Sequence, residues 1–216
     1  GGIHTNQIEV QPDGTLPLEA IRESIRVEND HFPRTRLICL ENTQGTIGGI
    51  PLSVAYTEQV GELAREHNLK VHVDGARFFN AATALGVSAA ELAAPVDSVT
   101  FCLSKGLCAP VGSVLVGSAV FIKEARRSRK VIGGGMRQAG VLAAAGLIAL
   151  REMTSRLGED HANARTLAEG LAQIPCIQID LSRVQTNMVF FDLHPEARLT
   201  PAELTERLKA EYDIYI

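Results

Sequence analysis

The chain lacks a long apolar run, and neither sign of charge is in strong excess. None of its apolar stretches approaches the roughly 20 residues that span a bilayer, and the amino terminus has no signal-peptide pattern. The 21 basic and 25 acidic residues give a net charge of −4. This composition indicates neither a nucleic-acid partner nor a membrane partner.

Sequence motifs for metals, nucleotides and a nucleophilic serine are missing as well. The four cysteines are scattered without metal-ligand spacing, which favours reduced thiols and an intracellular, most simply cytoplasmic, location. The six histidines include no His-Glu-x-x-His pattern, and residues 45–49 lack the Gly-Lys-Ser/Thr ending of a phosphate loop. We therefore expect no metal site and no nucleotide site of the phosphate-loop type.

Strand-like and helix-like segments alternate over a single predicted core. With 216 residues and 45% hydrophobic content, the chain can bury one good core and a small appendage. Short apolar runs with β-branched residues predict buried strands, at residues 37–42, 70–74, 99–103 and, antiparallel, 113–117. We predict an α/β fold: a mostly parallel sheet with flanking helices over residues 1–174, then part of a small α+β domain over residues 175–216.

Helical segments are marked by caps, glycines and apolar spacing. Pro17 is placed to open the first helix, and Ser53 and Thr200 are placed to cap two others. Residues 212–216 have the pattern of a new strand. Helices are predicted from residue 17 to about 25 and over residues 54–68, 80–94 (broken near Gly86), 139–150, 155–174 and 201–212.

Two charged residues, Asp74 and Lys105, follow neighbouring predicted strands. About thirty residues separate them, the length of one strand–helix–strand unit, and a right-handed crossover would make their strands parallel. Both residues would then lie at the carboxyl edge of the sheet, where ligands of open α/β sheets bind. One interpretation is a salt bridge that holds this edge together. The other is a pyridoxal phosphate site, with a Schiff-base lysine and an aspartate on the pyridinium nitrogen.

Four short motifs carry a family resemblance. Residues 72–77 (His-Val-Asp-Gly-Ala-Arg) and 103–113 (Leu-Ser-Lys-Gly-Leu-Cys-Ala-Pro-Val-Gly-Ser) closely resemble the low-specificity L-threonine aldolases. So do residues 40–43 (Leu-Glu-Asn-Thr) and 133–140 (Gly-Gly-Gly-Met-Arg-Gln-Ala-Gly), and the four motifs occur in order over nearly the whole chain. The resemblance implies a fold-type I pyridoxal 5'-phosphate enzyme that cleaves L-threonine or L-allo-threonine to glycine and acetaldehyde.

The resemblance also implies roles for individual side chains around the two strand ends. Lys105 would form the Schiff base, and Asp74 would keep the ring nitrogen protonated. Ser104 would donate a hydrogen bond to the cofactor phosphate. Arg77, three residues after Asp74, would bind the substrate carboxylate or the cofactor's phenolate oxygen, which suits its planar guanidinium.

A basic segment over residues 123–137 has two interpretations. Most of its basic side chains are expected on a solvated helix face. Lys130 and Arg137 differ, because they bracket the glycine turn at residues 133–135, and backbone N–H groups ahead of a helix can bind an anion. By resemblance, this segment lies near the active site of a neighbouring subunit. A homodimer or homotetramer with shared active sites is therefore expected.

Alternative functions stay open at this point. A glycine hydroxymethyltransferase or a β-eliminating lyase would share Asp74 and Lys105, and a catalytically incomplete chain would act only in binding or dimerisation. His72, inside a predicted strand, is as readily a packed core residue as a catalytic one, and His161 is most simply a surface residue.

The resemblance further implies site residues outside the quoted motifs. The threonine aldolases have a phosphate-binding Gly-Thr turn and a cofactor-stacking histidine before this stretch, and an arginine for the substrate carboxylate after it. Gln44 stands where the family has a histidine after Asn42 and Thr43. We expect the 216 residues to be part of a longer polypeptide, with a mitochondrial location as an alternative to the cytoplasm. By themselves they are expected to cleave threonine slowly or not at all.

Overall fold

A four-stranded sheet forms the centre of the computed structural model, which describes residues 3–216. Its strands follow one another in the order β1 (Leu37–Glu41), β2 (Lys70–Asp74), β3 (Ser98–Cys102) and β4 (Ser113–Gly117). The first three are parallel, and β4 pairs with β3 in the antiparallel direction. The predicted α/β class, the strand positions and the direction of β4 are confirmed.

Helices on one face of the sheet enclose the core. Helix α1 (Leu18–Glu23) precedes β1, α2 (Val54–Glu66) connects β1 to β2, and α3 (Phe78–Leu85) and α4 (Ala89–Ala93) connect β2 to β3. Pro17 is the residue before α1 and not its first helical residue. The Ser53 hydroxyl caps α2 by accepting from the Tyr56 N–H at 3.1 Å. Gly86 ends α3 in the left-handed region, with φ 67°, so the predicted helix break is confirmed.

The two faces of the sheet differ in how well they are covered. Alternate strand residues on one face are buried among these helices, and they include Ile38, Leu40, Val71, Val73, Val99 and Phe101. The other face stays open in the described chain: Leu37 is 49% exposed and Leu115 is 37% exposed. Mostly parallel sheets are ordinarily covered on both faces.

Helix α5 (Ala119–Val131), the first helix after β4, packs more loosely than the helices before that strand. It has no buried residue. Helix α6 (Gly140–Ile148) continues through a π turn (Ala149–Met153) and a 3-10 turn (Thr154–Arg156) into α7 (Leu157–Leu171). The sequence predicted two separate helices here. They join because no glycine or proline interrupts residues 149–157, and the Thr154 hydroxyl donates back to the Leu150 carbonyl at 3.1 Å.

The last segment adds a two-stranded antiparallel ribbon and a helix. Strands β5 (Ile177–Gln178) and β6 (Asp192–Leu193) pair, and α8 (Pro201–Tyr212) follows. The predicted cap at Thr200 is confirmed as a capping box with Glu203. The strand predicted over residues 212–216 is wrong, because α8 runs through Tyr212 and residues 213–216 form no strand. The favourable capping and helix-forming residues of α8 outweigh the short apolar pattern.

Residues between β5 and β6 contact the main body of the chain. The Thr186 side chain is fully buried, and its hydroxyl donates to the Gly49 carbonyl at 2.9 Å. The domain boundary at residues 174 and 175 stays a prediction. Within residues 3–216, none of the helices combines the length and apolar character needed to cross a bilayer.

Candidate active site at the carboxyl edge of the sheet

Asp74 ends β2 at the carboxyl edge of the parallel strands. It is aligned with Glu41 of β1 and with Thr100 of β3. The Asn42 N–H donates to the Asp74 carbonyl at 2.9 Å, and the Gly75 N–H donates to the Thr100 carbonyl at 2.7 Å. The side chain is exposed, and its Oδ1 accepts from the Ala76 N–H at 3.2 Å. The main chain of Asp74 is thus fixed between its neighbours while its carboxylate faces out.

The glycine after Asp74 permits the close approach of β2 and β3. A Cβ atom on Gly75 would lie 2.8 Å from the Cβ of Phe78 and 2.9 Å from the Thr100 carbonyl oxygen. Both distances are shorter than non-bonded atoms tolerate. The Phe78 N–H also donates to the Gly75 carbonyl at 2.7 Å, which starts α3 immediately beyond the strand.

Lys105 lies on a compact loop between β3 and β4. The Cys108 N–H donates to the Lys105 carbonyl at 2.9 Å, and the Ala109 N–H donates to the Leu103 carbonyl at 3.0 Å. Leu103, Leu107 and Ala109 are buried, whereas Ser104 and Lys105 are exposed. The apolar side chains therefore anchor the loop, and the hydroxyl and the amine project from it.

The salt-bridge interpretation of Asp74 and Lys105 does not hold in this structure. The ion pairs among residues 3–216 include neither of these two side chains. Asp74 is the last residue of β2, Lys105 follows the neighbouring strand β3 by three residues, and both side chains are exposed. A carboxylate and an amine at this edge are thus available to a ligand.

Arg77 lies between the β2 end and the loop after β1. It is the residue before α3 and is half-buried. A Cβ atom on Gly45 would lie 4.0 Å from Arg77 Nη1 and 3.0 Å from Glu41 Oε1. Glu41 at the end of β1 and Arg77 before α3 therefore both approach Gly45. Sequence reasoning did not single out Glu41, although its position as the last residue of β1 was a usable signal.

Lys130 and Arg137 belong to other elements of the chain than the four candidates after β2 and β3. Lys130 is in the last turn of α5, and Arg137 is in the connection to α6; both are exposed. Among residues 3–216, neither forms a hydrogen bond or ion pair with Asp74, Arg77, Ser104 or Lys105 through its side chain. The other four candidates follow the carboxyl ends of β2 and β3, whereas these two belong to α5 and to the connection after it. Their role toward a neighbouring subunit stays a prediction.

The loop after β1 contains buried polar side chains. The Gln44 side chain is buried, and its Oε1 accepts from both the backbone N–H and the hydroxyl of Thr46, each at 2.8 Å. Thr43 is 2% exposed, and its hydroxyl has no hydrogen-bond partner among the described residues. The end of β1 therefore contributes a buried hydroxyl whose hydrogen-bonding capacity is unused.

Two histidines are half-buried beneath the site. His72 is in β2, and its ring reaches two hydroxyl groups of β3. Its Nδ1 lies 2.8 Å from Ser98 Oγ, and its Nε2 lies 3.3 Å from Thr100 Oγ1. His161 of α7 lies 3.1 Å from the buried Asn80 side chain, measured from Nε2 to Nδ2. Burial lowers the pKa of both rings, and a nearby carboxylate opposes the shift, Asp74 for His72 and Asp160 for His161. The prediction of His161 as a surface residue was wrong, because its helix packs on α3.

A cavity of about 560 Å³ lies elsewhere, between the loop at residues 46–48 and the segment around β5, β6 and α8. None of the six candidate site residues lines it. Arg183 borders this cavity and donates to the Ile47 carbonyl at 3.0 Å. The volume of this cavity therefore does not identify the candidate active site, because the candidate charged residues follow the strands at the sheet edge.

The fold is of the α/β class, in which ligands ordinarily bind beyond the carboxyl ends of parallel strands. A PLP-dependent aminotransferase from Streptococcus suis 89-1591 has a similar fold, with a TM-score of 0.69 and 19% identity over 97% of this chain and 54% of that chain. Residues 1–194 match the family of beta-eliminating lyases. The chain belongs to this family.

Two curated relatives are more specific in name. The chain is 52% identical to low-specificity L-threonine aldolase 1 of Arabidopsis thaliana over 97% of its length and 59% of the relative. It is 46% identical to the low specificity L-threonine aldolase of Escherichia coli strain K12 over 97% of its length and 60% of the relative. The family resemblance noted from the four motifs is confirmed. The chain spans about 60% of the length of the curated relatives it matches.

Proposed function

We propose that the protein is a pyridoxal-phosphate-dependent aldehyde-lyase that cleaves L-threonine and L-allo-threonine to glycine and acetaldehyde. The names of its relatives support this substrate class. The observation that carries the proposal is the placement of Asp74 at the end of β2 and of Lys105 in the loop after the neighbouring β3, with neither side chain in an ion pair among residues 3–216. A pair with a purely structural role would be expected to satisfy its charges internally.

The residues at the edge fit pyridoxal phosphate by their chemistry. Lys105 would hold the aldehyde end through its amine, and Asp74 would hold the protonated ring nitrogen. Ser104 would donate to the phosphate, and the unpartnered Thr43 hydroxyl adds a polar group nearby. When bound, the cofactor supplies a protonated pyridine ring that accepts the electron pair released at the substrate Cα.

Two protein groups then have a task in cleavage. The carboxylate of Asp74 keeps a proton on the ring nitrogen, because a negative charge favours the protonated form. The guanidinium of Arg77 orients the substrate carboxylate through its two parallel N–H donors. The β-hydroxyl gives its proton to a base, the Cα–Cβ bond breaks with its electron pair left at Cα, and Cα then takes up one proton, so acetaldehyde and glycine account for every atom of threonine.

The proposal includes an assembly of identical subunits. Large apolar side chains of α5 and the turn that follows are exposed, with Val131 at 78% and Ile132 at 84%, and Val141 of α6 is 73% exposed. Lys130 and Arg137 border this surface. Contact between two such surfaces would bury the apolar groups and bring these cations toward a neighbouring site.

Labelling of Lys105 tests the assignment. We expect borohydride reduction of the protein incubated with pyridoxal phosphate, followed by peptide mapping, to place the pyridoxyl group on Lys105. Lys70 and Lys130 serve as internal controls, because both are exposed. Label confined to either of those lysines would refute the role of Lys105.

A β-eliminating lyase is the second candidate, because the family to which the chain belongs carries that description. The products separate the two reactions. Retro-aldol cleavage of threonine releases acetaldehyde and glycine, whereas β-elimination releases ammonia and a 2-oxo acid. We expect equal amounts of acetaldehyde and glycine without added folate, and a strict requirement for folate would instead favour a hydroxymethyltransferase.

A further inference from the structure

The main chain next to Lys105 rests on a buried carboxamide. A Cβ atom on Gly106 would lie 3.0 Å from Asn80 Oδ1, 3.5 Å from Asn80 Nδ2 and 3.0 Å from Leu157 Cδ2. Asn80 and Leu157 are each at most 2% exposed. Glycine at this position therefore lets the loop that carries Lys105 lie directly on α3 and α7.

Asn80 is in turn held by His161. Its Nδ2 lies 3.1 Å from His161 Nε2. An amide nitrogen only donates, so Nε2 accepts and the ring proton resides on Nδ1. Burial lowers the pKa of His161, which keeps the ring neutral and preserves this acceptor. His161 and Leu157 are one helical turn apart on α7, so a single helix face supports both sides of the contact.

The same asparagine is tied to the strand of Asp74. Helix α3 begins at Phe78, whose N–H donates to the Gly75 carbonyl at 2.7 Å, and Gly75 donates to Thr100 of β3. Asn80 lies in the first turn of that helix. Its carboxamide thus joins the element that follows Asp74 to the loop that presents Lys105.

We infer that Asn80 and His161 form a positioning pair. The pair fixes the position of the Lys105–Gly106 main chain relative to Asp74. This inference rests on the proposed role of Lys105. The pair does not touch the reacting atoms; it acts through the Gly106 backbone. Loss of the His161 acceptor leaves a buried amide N–H unsatisfied, so Asn80 would turn toward another partner and the loop would shift.

The test compares two substitutions of His161 in the purified protein. His161→Gln places a carboxamide oxygen near the former Nε2 position, so it can still accept from Asn80. His161→Leu removes the acceptor at similar volume. The protein is incubated with subsaturating pyridoxal phosphate and reduced with borohydride, and the initial rate at which Lys105 acquires the pyridoxyl label is measured. The exposed Lys123 of α5 is the reference lysine.

We expect His161→Leu to lower the rate at Lys105 about tenfold, the effect of one lost buried hydrogen bond, with no change at Lys123. His161→Gln should restore most of the rate. Ala168→Gly provides a stability control, since Ala168 is a fully buried residue of the same helix and glycine costs about 1 kcal/mol in a helix. It should leave the labelling of Lys105 unchanged.

Each contrary result has a distinct meaning. Equal rates for His161→Leu and the unsubstituted protein, or an equal loss in Ala168→Gly, would overturn the positioning role. No label on Lys105 in the unsubstituted protein would instead refute the proposed cofactor site itself.

Discussion

At the scale of single residues, Asp74 is expected to act through its charge and not through its shape. Asp74→Asn keeps the size of the side chain but removes the anion that holds the ring nitrogen protonated. We expect kcat for threonine cleavage to fall by a factor that corresponds to about 3 kcal/mol or more, as for other preorganised charge contacts. The thermal midpoint should barely change, because the side chain is exposed.

The matched control for this substitution is Asp192→Asn, an exposed aspartate on β6. It should leave kcat unchanged. Turnover by Asp74→Asn at close to the unsubstituted rate would remove Asp74 from the mechanism.

Gly75 has a steric role that can be measured separately. Gly75→Ala would place a methyl group 2.8 Å from Phe78 and 2.9 Å from the Thr100 carbonyl. We expect the free energy of unfolding to fall by about 1–3 kcal/mol, the usual cost of overpacking. Urea denaturation provides the measurement.

Gly170→Ala is the comparison for Gly75→Ala, since a Cβ atom there meets no heavy atom within 4 Å and the residue is helical. It should be neutral or stabilising. A loss of stability at Gly170 equal to that at Gly75 would mean that the close approach of β2 and β3 is not the cause.

The sequence located some site residues and missed others for a physical reason. Asp74 and Lys105 were predictable, because each follows a short β-branched run that marks a strand end. Asn80 and His161 were not, because they are 81 residues apart and only the packing of α3 against α7 joins them. Local patterns report where a strand or helix ends, but a contact between two distant helices depends on the whole core.

At the scale of elements, the contrast between local patterns and distant contacts explains which features of the helices were predicted correctly and which were not. Caps at Ser53 and Thr200 were predictable, because a hydroxyl that accepts a backbone N–H needs only neighbouring residues. The continuity of α6 and α7 was not, since Thr154 and Ser155 favour either a cap or a bond back to the preceding turn. The structure shows the second arrangement at both residues.

The two half-buried histidines, His72 of β2 and His161 of α7, make the free energy of unfolding depend on pH. His72 and His161 have pKa values below their ordinary value of 6.5 in the folded chain. The unfolded chain therefore binds more protons in this range, and the free energy of unfolding rises with pH. The contribution is complete above 6.5 and is lost as the pH falls through the folded-state values.

Urea denaturation between about pH 5 and about pH 8 checks this dependence. We expect the combined substitution of His72→Gln and His161→Gln to flatten the rise in the free energy of unfolding. His31→Gln, at an exposed position, should not flatten it. An unchanged slope in the double variant would show that neither ring is held neutral by the fold.

At the scale of the whole molecule, the open face of the sheet has a consequence for the chain in isolation. Leu37 and Leu115 are exposed on a face that mostly parallel sheets usually cover. We expect the 216-residue chain prepared by itself to bind a hydrophobic dye such as ANS, and to take up pyridoxal phosphate weakly. Leu115→Lys should lower the dye signal, because it breaks the apolar surface.

Dye fluorescence and absorbance titration with the cofactor provide the measurements. Tight uptake with rapid release of acetaldehyde from threonine would show that the residues at this edge suffice by themselves. Absence of dye binding would show that the open face is covered in solution.

The main-chain hydrogen bonds around Asp74 also oppose separation of the strands at this edge of the sheet. Asn42 holds the Asp74 carbonyl at 2.9 Å, and the Thr100 carbonyl holds the next amide at 2.7 Å. Spreading the three parallel strands at this edge would break both bonds, and each costs on the order of 1 kcal/mol. Movement at this edge is therefore expected in side-chain torsions, such as those of Lys105, and in segments outside the sheet. Under the proposed function, substrates that differ in configuration at the β-carbon would be accommodated by side-chain rotation, without separation of the strands.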